Sequence, residues 1–389
     1  MRDTLLGVSV TAIVIMPVAV LGAAAPMVRA DLSIAEGTLG LLVGLFFLAG
    51  AVASVPAGRA SRALSLKAMM IGACGLAAVT LTSITVWAGS IWALGICLAA
   101  GGVANAAGQV SVNHWLARNR PMHRQGLSFG AKQAAVPLAS LCAGLLLPAV
   151  IVPFGWRAGF LVGTVLALLG IFALSGIRSS REAGEARRRE PSRRAPRMSL
   201  ALLTGVGFLG AAGGTCLAPF MVDYLTTRGL TADTAGLLLS LGAAAGITAR
   251  LAAGILTDLF AVWPLSIIAA LLASGGVGIA MLAVGASGFL LVAAVMLSFL
   301  GAWGWPGLLP LALTRASPEV FRAGAGMIVM GPLAGAVAGP SLFGLIVERA
   351  GYPAGWTMLV VFVATAGIMA TAVRARSAVL HPNVTRESG

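Results

Sequence analysis

The stretch RNRPMHRQG at residues 118–126 has a counterpart about 197 residues later, RASPEVFRAG at residues 315–324. Both stretches place an arginine, a proline, a second arginine and a glycine in the same order between two apolar segments. A similar offset relates further pairs: Ala25-Pro26 with Ala218-Pro219, Gly155-Trp156 with Gly355-Trp356, and Gly58 with Gly254. The chain is therefore predicted to contain two copies of one unit.

The composition indicates which kind of unit is repeated. Of the 389 residues, 59% are hydrophobic and only 10% are charged, which excludes a set of soluble domains. Hydropathy predicts an all-α integral membrane fold with about twelve helices that cross a hydrocarbon core of about 30 Å, in two pseudo-symmetric six-helix bundles. The predicted spans are 4–28, 36–56, 66–86, 91–115, 125–150, 156–177, 199–224, 234–257, 262–284, 287–313, 323–347 and 355–376. Parallel repeats of such a unit are typical of secondary transporters, which bind substrate where the repeats meet.

The net charge of +14 is explained by topology. If the N-terminus is cytoplasmic, four of the 26 basic residues, Arg29, Arg157, Arg228 and Arg349, lie at external loops and the other 22 on the cytoplasmic side. This bias predicts a multi-pass protein of the cell membrane with both termini in the cytoplasm. It requires no polyanionic partner, and nucleic-acid binding is not expected.

The chain divides at its one long polar stretch. Residues 178–198 carry eight arginines and are predicted to form a basic cytoplasmic linker between bundles at 1–177 and 199–377, with a tail at 378–389. Residues 1–25 resemble a secretory signal, but their apolar run is longer than a signal requires, so they are assigned to helix one. The four cysteines are isolated within apolar helices and predict neither a disulfide nor a metal site.

The chain resembles the major facilitator superfamily over essentially its whole length. The family's Gly-x-x-x-Asp motif follows helix two and is echoed after helix eight, and the second copy is present as Gly254 and Asp258. The first copy is degenerate, because Gly58 is followed by Arg62. The resemblance implies that these loops latch neighbouring helices when the outward side opens, and that the first latch is weakened.

Ionisable side chains inside a bilayer are costly and are therefore functional candidates. All twelve acidic residues are predicted to lie in loops, tails or helix ends, and only Lys132 in helix five and Arg250 in helix eight are basic residues at membrane depth. The resemblance implies that helices five and eight face one cavity. Two cations there repel each other unless an anion lies between them. We therefore predict an anionic substrate, although Lys132 snorkelling to the interface and Arg250 binding loop carbonyls remain alternatives.

The spacing of Arg250, Gly254 and Asp258 resembles helix eight of monocarboxylate transporters and oxalate:formate exchangers, in which the arginine binds the substrate carboxylate. In helix four, Asn105, Gln109 and Asn113 form one polar stripe. The stripe predicts either hydrogen bonds to substrate, with Asn105 and Gln109 as candidates, or contacts between helices. Gln133 points about 100° away from Lys132 on a helical wheel and is predicted to pack.

Two tryptophans, Trp303 and Trp305, are predicted to lie within helix ten beside Pro306. Six other tryptophans fall at helix ends, as expected of an interfacial belt. Trp303 and Trp305 are therefore candidates to line the cavity or to stack on substrate, with core or lipid-facing packing as the alternative.

The sequence favours transport of a small organic anion, most simply a carboxylate, by alternating access, with or without a co-transported proton. The alternative is proton-coupled efflux of drugs or other hydrophobic compounds, although helix five has Gly130, Pro137 and Gly144 without the motif typical of such antiporters. An enzyme is not expected, since no cluster of acid, base or nucleophile lies at membrane depth. The sequence shows no phosphate-binding loop, and we expect no cofactor or metal and, from the family, a monomer.

Overall fold

The computed structural model describes residues 2–119, 125–176, 197–259, 263–309, 312 and 318–380, and this part of the chain is helical with no strand. Ten long helices are separate: α1 (Arg2–Ala23), α2 (Glu36–Ala63), α3 (Leu66–Trp87), α4 (Ile91–Asn119), α5 (Gln125–Leu146), α6 (Trp156–Ser175), α7 (Arg197–Thr227), α8 (Ala232–Leu259), α9 (Pro264–Ala283) and α10 (Gly288–Gly304). The helix Pro318–Leu380 reverses direction at Gly351 and supplies α11 (318–350) and α12 (352–380). Gly351 has φ 79° and ψ 169°, a conformation that glycine tolerates best.

These helices match the predicted number of membrane spans. Ten stretches are long and apolar enough to cross a membrane, and the last of them, Met330–Ala375, includes most of α11 and most of α12. The shorter apolar helix Gly288–Gly304 completes the set. The prediction of a twelve-helix, all-α membrane fold is confirmed. The structure adds a short helix, Ala25–Leu32, between α1 and α2. Pro26 is its second residue, and Ser33, directly after its end, has a left-handed backbone conformation.

The packing of the helices has the symmetry of the sequence repeat. The two halves meet where α2 packs on α11 and where α5 packs on α8, and α1 also contacts α7. If each helix is exchanged with its counterpart six helices away in the chain, the contact between α2 and α11 becomes the contact between α8 and α5. Within the halves, α3 packs on α4 as α9 packs on α10. The repeated unit is therefore a six-helix bundle, and the interface between bundles is formed by equivalent helices.

Glycines allow α5 and α8 to approach closely across this interface. A Cβ atom added at Gly144 would lie 2.6 Å from the carbonyl oxygen of Gly236, and one added at Gly236 would lie 2.6 Å from the carbonyl oxygen of Gly144. Either side chain would collide with main-chain atoms, which cannot rotate away. The two backbones are in direct contact because both positions lack a Cβ.

Helix α10 is shorter than predicted. It was expected to continue to residue 313, but it ends at Gly304, and Trp303 and Trp305 consequently lie at a helix end and not in its middle. Pro306 explains the early end, because a proline has no N–H to donate to the carbonyl four residues earlier, that of Ala302, and so the helical hydrogen bonds cannot continue past it. The indole of Trp305 is 1% exposed and packs on Gly210 of α7, so it belongs to the core of the second bundle.

Candidate functional site

Lys132 of α5 is buried at the interface between the halves, with 4% of its surface exposed. Its Nζ donates hydrogen bonds to Oε1 of Gln109 on α4 and, at 3.2 Å, to Oε1 of Gln133. Both acceptors are uncharged amide oxygens. Lys132 therefore does not extend to a membrane boundary but is held inside the protein by the polar stripe of α4.

Arg250 of α8 is also buried, with 5% of its surface exposed. Its Nε donates to the carbonyl oxygen of Trp303 at 2.7 Å, and its Nη1 donates to the carbonyl oxygen of Gln133. The guanidinium carbon lies 5.6 Å from the centre of the Trp303 ring, within the range of a cation–π interaction. Arg250 thus connects α8 with α5 of the other half and with the end of α10.

Two prolines explain why both carbonyls are available to Arg250. The carbonyl of Gln133 would normally accept from the N–H four residues later, but that residue is Pro137 inside α5, which has no N–H. The carbonyl of Trp303 is among the last of α10, which ends at Gly304 before Pro306, and so it lacks a partner within the helix. An unsatisfied carbonyl at membrane depth is costly, and Arg250 satisfies both.

The site residues form one connected network. Gln109 Nε2 donates to Asn105 Oδ1 at 3.4 Å, so the stripe of α4 leads through Gln109 to Lys132. Gln133 then joins the two cations, since its side chain binds Lys132 and its carbonyl binds Arg250. The side chain of Asn113, the third member of the stripe, makes no hydrogen bond to another residue within the part of the chain that the structure describes. Of the predicted site residues, Lys132, Arg250, Asn105, Gln109 and Trp303 come together, and Trp305 does not.

The interpretation of Gln133 as a packing residue is wrong. The helical wheel places its Cα–Cβ bond about 100° from that of Lys132, but the side chain of glutamine is long enough to turn back to its neighbour. The sequence did contain a signal for its carbonyl, because Gln133 precedes Pro137 by four residues.

The predicted gating residues are described only in part. A Cβ atom added at Gly58 or at Gly254 would meet nothing within 4 Å, so neither glycine is required by a close contact in this conformation. The side chains of Arg62 and Asp258 lie outside the described part of the structure, as do those of the repeated motif at 118–126 and 315–324. The latch role of these residues stays a prediction.

A second polar cluster, which sequence reasoning missed, lies where the short helix Ala25–Leu32 and the start of α2 meet α7 and the start of α12. Arg29 Nη1 lies 2.6 Å from Oδ2 of Asp223, and its Nη2 lies 2.6 Å from Oε1 of Glu36. The hydroxyl of Tyr352 also donates to Asp223, which is only 2% exposed. Asp223 was placed at a helix end from hydropathy, and the structure shows that this end is buried between the halves.

Comparison with known proteins places the chain in a family. A sequence model of the Major Facilitator Superfamily matches residues 8–207, which is just over half of the chain. The chain belongs to the Major Facilitator Superfamily. The resemblance inferred from the repeat and from Gly254 and Asp258 is therefore confirmed, whereas the finer similarity to monocarboxylate and oxalate:formate transporters stays a prediction. No curated protein matches the chain in sequence.

Solved structures of this superfamily share the fold over almost the entire chain. A bacterial homologue of the human lysosomal transporter Spinster, in an inward-facing and occupied conformation, has a TM-score of 0.73 at 14% identity and covers 96% of each chain. The human organic anion transporter MFSD10 (TETRAN) has a TM-score of 0.70 at 13% identity, over 95% of this chain and 100% of the other. The Escherichia coli fucose:proton symporter has a TM-score of 0.62 at 15% identity, over 94% and 98%. These identities show the transporter fold alone.

Proposed function

We propose that this superfamily member moves a small organic anion, most simply a carboxylate, across the membrane by alternating access, with Lys132 and Arg250 supplying the positive charge. One observation carries the proposal: two buried cations share Gln133, and every acceptor that they contact is uncharged. Three ion pairs occur between described residues, and neither Lys132 nor Arg250 takes part in them.

The charge balance of the site favours a bound anion. Amide and carbonyl oxygens satisfy hydrogen bonds, but they do not neutralise a cation, and a buried charge without a counter-ion is strongly disfavoured. Two such cations on opposite halves also repel each other. A bound anion removes both penalties at once, so the site favours an anion over a neutral or cationic solute.

The arrangement of donors favours a carboxylate with a small organic body. Arg250 uses Nε and Nη1 for carbonyls, and Nη2 is left to contribute to a charge-assisted bond. Asn105 and Gln109 offer amide groups beside Lys132, and the ring of Trp303 supplies an apolar face beneath Arg250. Of the similar folds, one protein is an organic anion transporter and another a fucose:proton symporter, so the fold alone does not choose the substrate.

The position of the site suits alternating access. Lys132 belongs to the first half and Arg250 to the second, so an anion held by both links the halves and favours conformations in which they are close. No carboxylate among the described residues contacts this site. A coupled proton would therefore travel with the substrate or on Lys132.

We also propose that the protein is a monomer in the cell membrane with both termini in the cytoplasm. Residues 178–198 would then form the linker between its two bundles.

The test is the melting temperature of the purified protein in detergent, measured with lactate, oxalate, succinate, chloride, sulfate and the lipophilic cation tetraphenylphosphonium. A carboxylate at ten times its dissociation constant should stabilise the fold by about 1.4 kcal/mol and raise the melting temperature by a few degrees. The shift should disappear in Lys132→Met. It should persist in Lys67→Met, which removes a lysine that donates to the carbonyl of Ser175 far from the site.

Two results would contradict the proposal. If tetraphenylphosphonium stabilises the protein and no anion does, efflux of lipophilic compounds becomes the better account. If an anion stabilises wild type and Lys132→Met equally, the anion binds elsewhere, and the two-cation site is not its binding site.

A further inference from the structure

The Arg29 cluster, defined as Arg29, Glu36, Asp223 and Tyr352, joins the two halves at one end of the molecule. Arg29 and Glu36 belong to the first half, and Asp223 and Tyr352 belong to the second. The guanidinium is fully engaged, because its Nε also donates to the carbonyl of Ile34 at 3.3 Å. One cation thus lies between two carboxylates, and Asp223 receives a second hydrogen bond from its own half.

A second polar contact crosses between the halves beside this cluster. The N–H of Gly37, at the start of α2, donates to Oε2 of Glu348 on α11 at 3.1 Å. This N–H is one of the first four of α2 and has no partner within the helix, so the carboxylate acts as its cap. Main-chain contacts continue along the interface, where a Cβ added at Gly22 of α1 would lie 2.7 Å from Cα of Pro219 on α7. This end of the molecule is closed.

Opening this end would be costly for Asp223 in particular. Its carboxylate is 2% exposed, and Arg29 is the cation that compensates it. Burial lowers the pKa of Arg29, but the hydrogen bond and charge of Asp223, together with the charge of Glu36, outweigh burial and raise that pKa above its ordinary value. Separating the halves would leave the Asp223 carboxylate without its counter-ion, and such losses are among the largest electrostatic penalties in proteins.

We propose that the Arg29 cluster is a lock that holds this end of the transporter closed and that breaks each time the halves separate there. The lock is distinct from the Lys132 and Arg250 site and does not depend on what that site binds. Loss of the Arg29–Asp223 pair should shift the population toward conformations open at this end.

Ser240 provides a reporter for opening. It lies on α8, is 7% exposed, and its Oγ donates to the carbonyl of Leu141 on α5 at 3.0 Å, so it is covered only while the halves are together. The experiment uses Ser240→Cys in a chain whose native cysteines are replaced by alanine. The rate of alkylation by a polar maleimide is measured in detergent with and without Arg29→Gln or Asp223→Asn. The native cysteines are Cys74, Cys97, Cys142 and Cys216.

If the Arg29 cluster is such a lock, Arg29→Gln and Asp223→Asn should each raise the alkylation rate of Ser240→Cys about tenfold or more. Arg29→Lys, which keeps the cation, should raise it less. The matched control is Asp31→Asn, which removes an ion pair to Arg157 at 3.1 Å that lies within one half, and it should leave the rate unchanged.

A second reporter distinguishes opening from unfolding. Thr164 is buried between α6 and α3, where its hydroxyl meets that of Thr82 at 3.3 Å, and Thr164→Cys should stay protected in every variant. The proposal is overturned if Ser240→Cys stays protected in a monodisperse Arg29→Gln protein. It is equally overturned if Asp31→Asn has the same effect, or if Thr164→Cys becomes reactive in parallel. If Asp223→Asn does not fold, Arg29→Gln alone decides, because Arg29 is more exposed than Asp223.

Discussion

Replacing Arg250 by glutamine is expected to lower the rate of carboxylate uptake by proteoliposomes about 100-fold. Removal of one partner from a buried, hydrogen-bonded charge pair costs about 2–5 kcal/mol, and about 2.7 kcal/mol corresponds to that factor. The variant loses the positive charge toward the anion and also the bonds that Arg250 makes to the carbonyls of Gln133 and Trp303. The measurement is initial uptake of the carboxylate that gives the largest thermal shift.

Two further variants separate charge from geometry. Arg250→Lys retains a cation, but its single Nζ cannot replace a guanidinium that reaches carbonyls on α5 and α10 with two different nitrogens, so its uptake should fall between those of wild type and Arg250→Gln. Arg157→Gln is the matched control, because Arg157 also donates to a carbonyl, that of Ala88, but lies away from the site. Uptake by Arg250→Gln at the rate of Arg157→Gln would contradict the assignment of Arg250.

Replacing Gly301 by valine is expected to destabilise the second half more than any surface substitution. Helices α9 and α10 cross at this glycine, and an added Cβ would overlap the main-chain N of Gly275 and the carbonyl oxygen of Leu271. Overpacking usually costs about 1–3 kcal/mol, and the upper value is expected here because main chain cannot rotate away. The melting temperature in detergent should fall by about 6–12 °C.

The control for this prediction is Gly72→Val on α3. A Cβ at Gly72 would meet nothing within 4 Å, and the position is exposed on the outside of the bundle. The substitution therefore tests the effect of a β-branched residue in a helix without a collision. Equal melting temperatures for the two variants would show that the α9 and α10 crossing is less tight than the structure describes.

The number of helices and the repeat could be predicted because both depend on local sequence. A bilayer requires a long apolar stretch for each crossing, and each such stretch is visible in the hydropathy of the chain. The contact between Lys132 and Gln109 was also within reach, because one lies on the buried side of helix five and the other in a polar stripe on helix four. Periodicity locates a polar face but not the partner that it meets.

The remaining features depend on tertiary contacts that no local pattern encodes. Arg29 and Asp223 are 194 residues apart, and hydropathy places each near a loop, where an ion pair is not expected. Their burial follows from the contact between the two halves. The early end of α10 could have been predicted from Pro306, which directly follows Trp305. The hydropathy of the chain stays high through residue 313, however, and it therefore predicted a longer helix. Hydropathy measures burial in lipid and does not detect a lost N–H.

The most direct test of the central claim is counterflow in proteoliposomes. Vesicles containing the purified protein are loaded with unlabelled lactate, oxalate or succinate and diluted into a trace of the same radiolabelled anion, so that any carrier able to exchange the anion accumulates label transiently. Accumulation is expected for at least one of these carboxylates with the wild-type protein, and no accumulation is expected with Lys132→Met or Arg250→Gln. Accumulation of none of the three carboxylates with the wild-type protein, or accumulation of one at equal rates with wild type and both variants, would contradict the assignment of a two-cation site for a carboxylate.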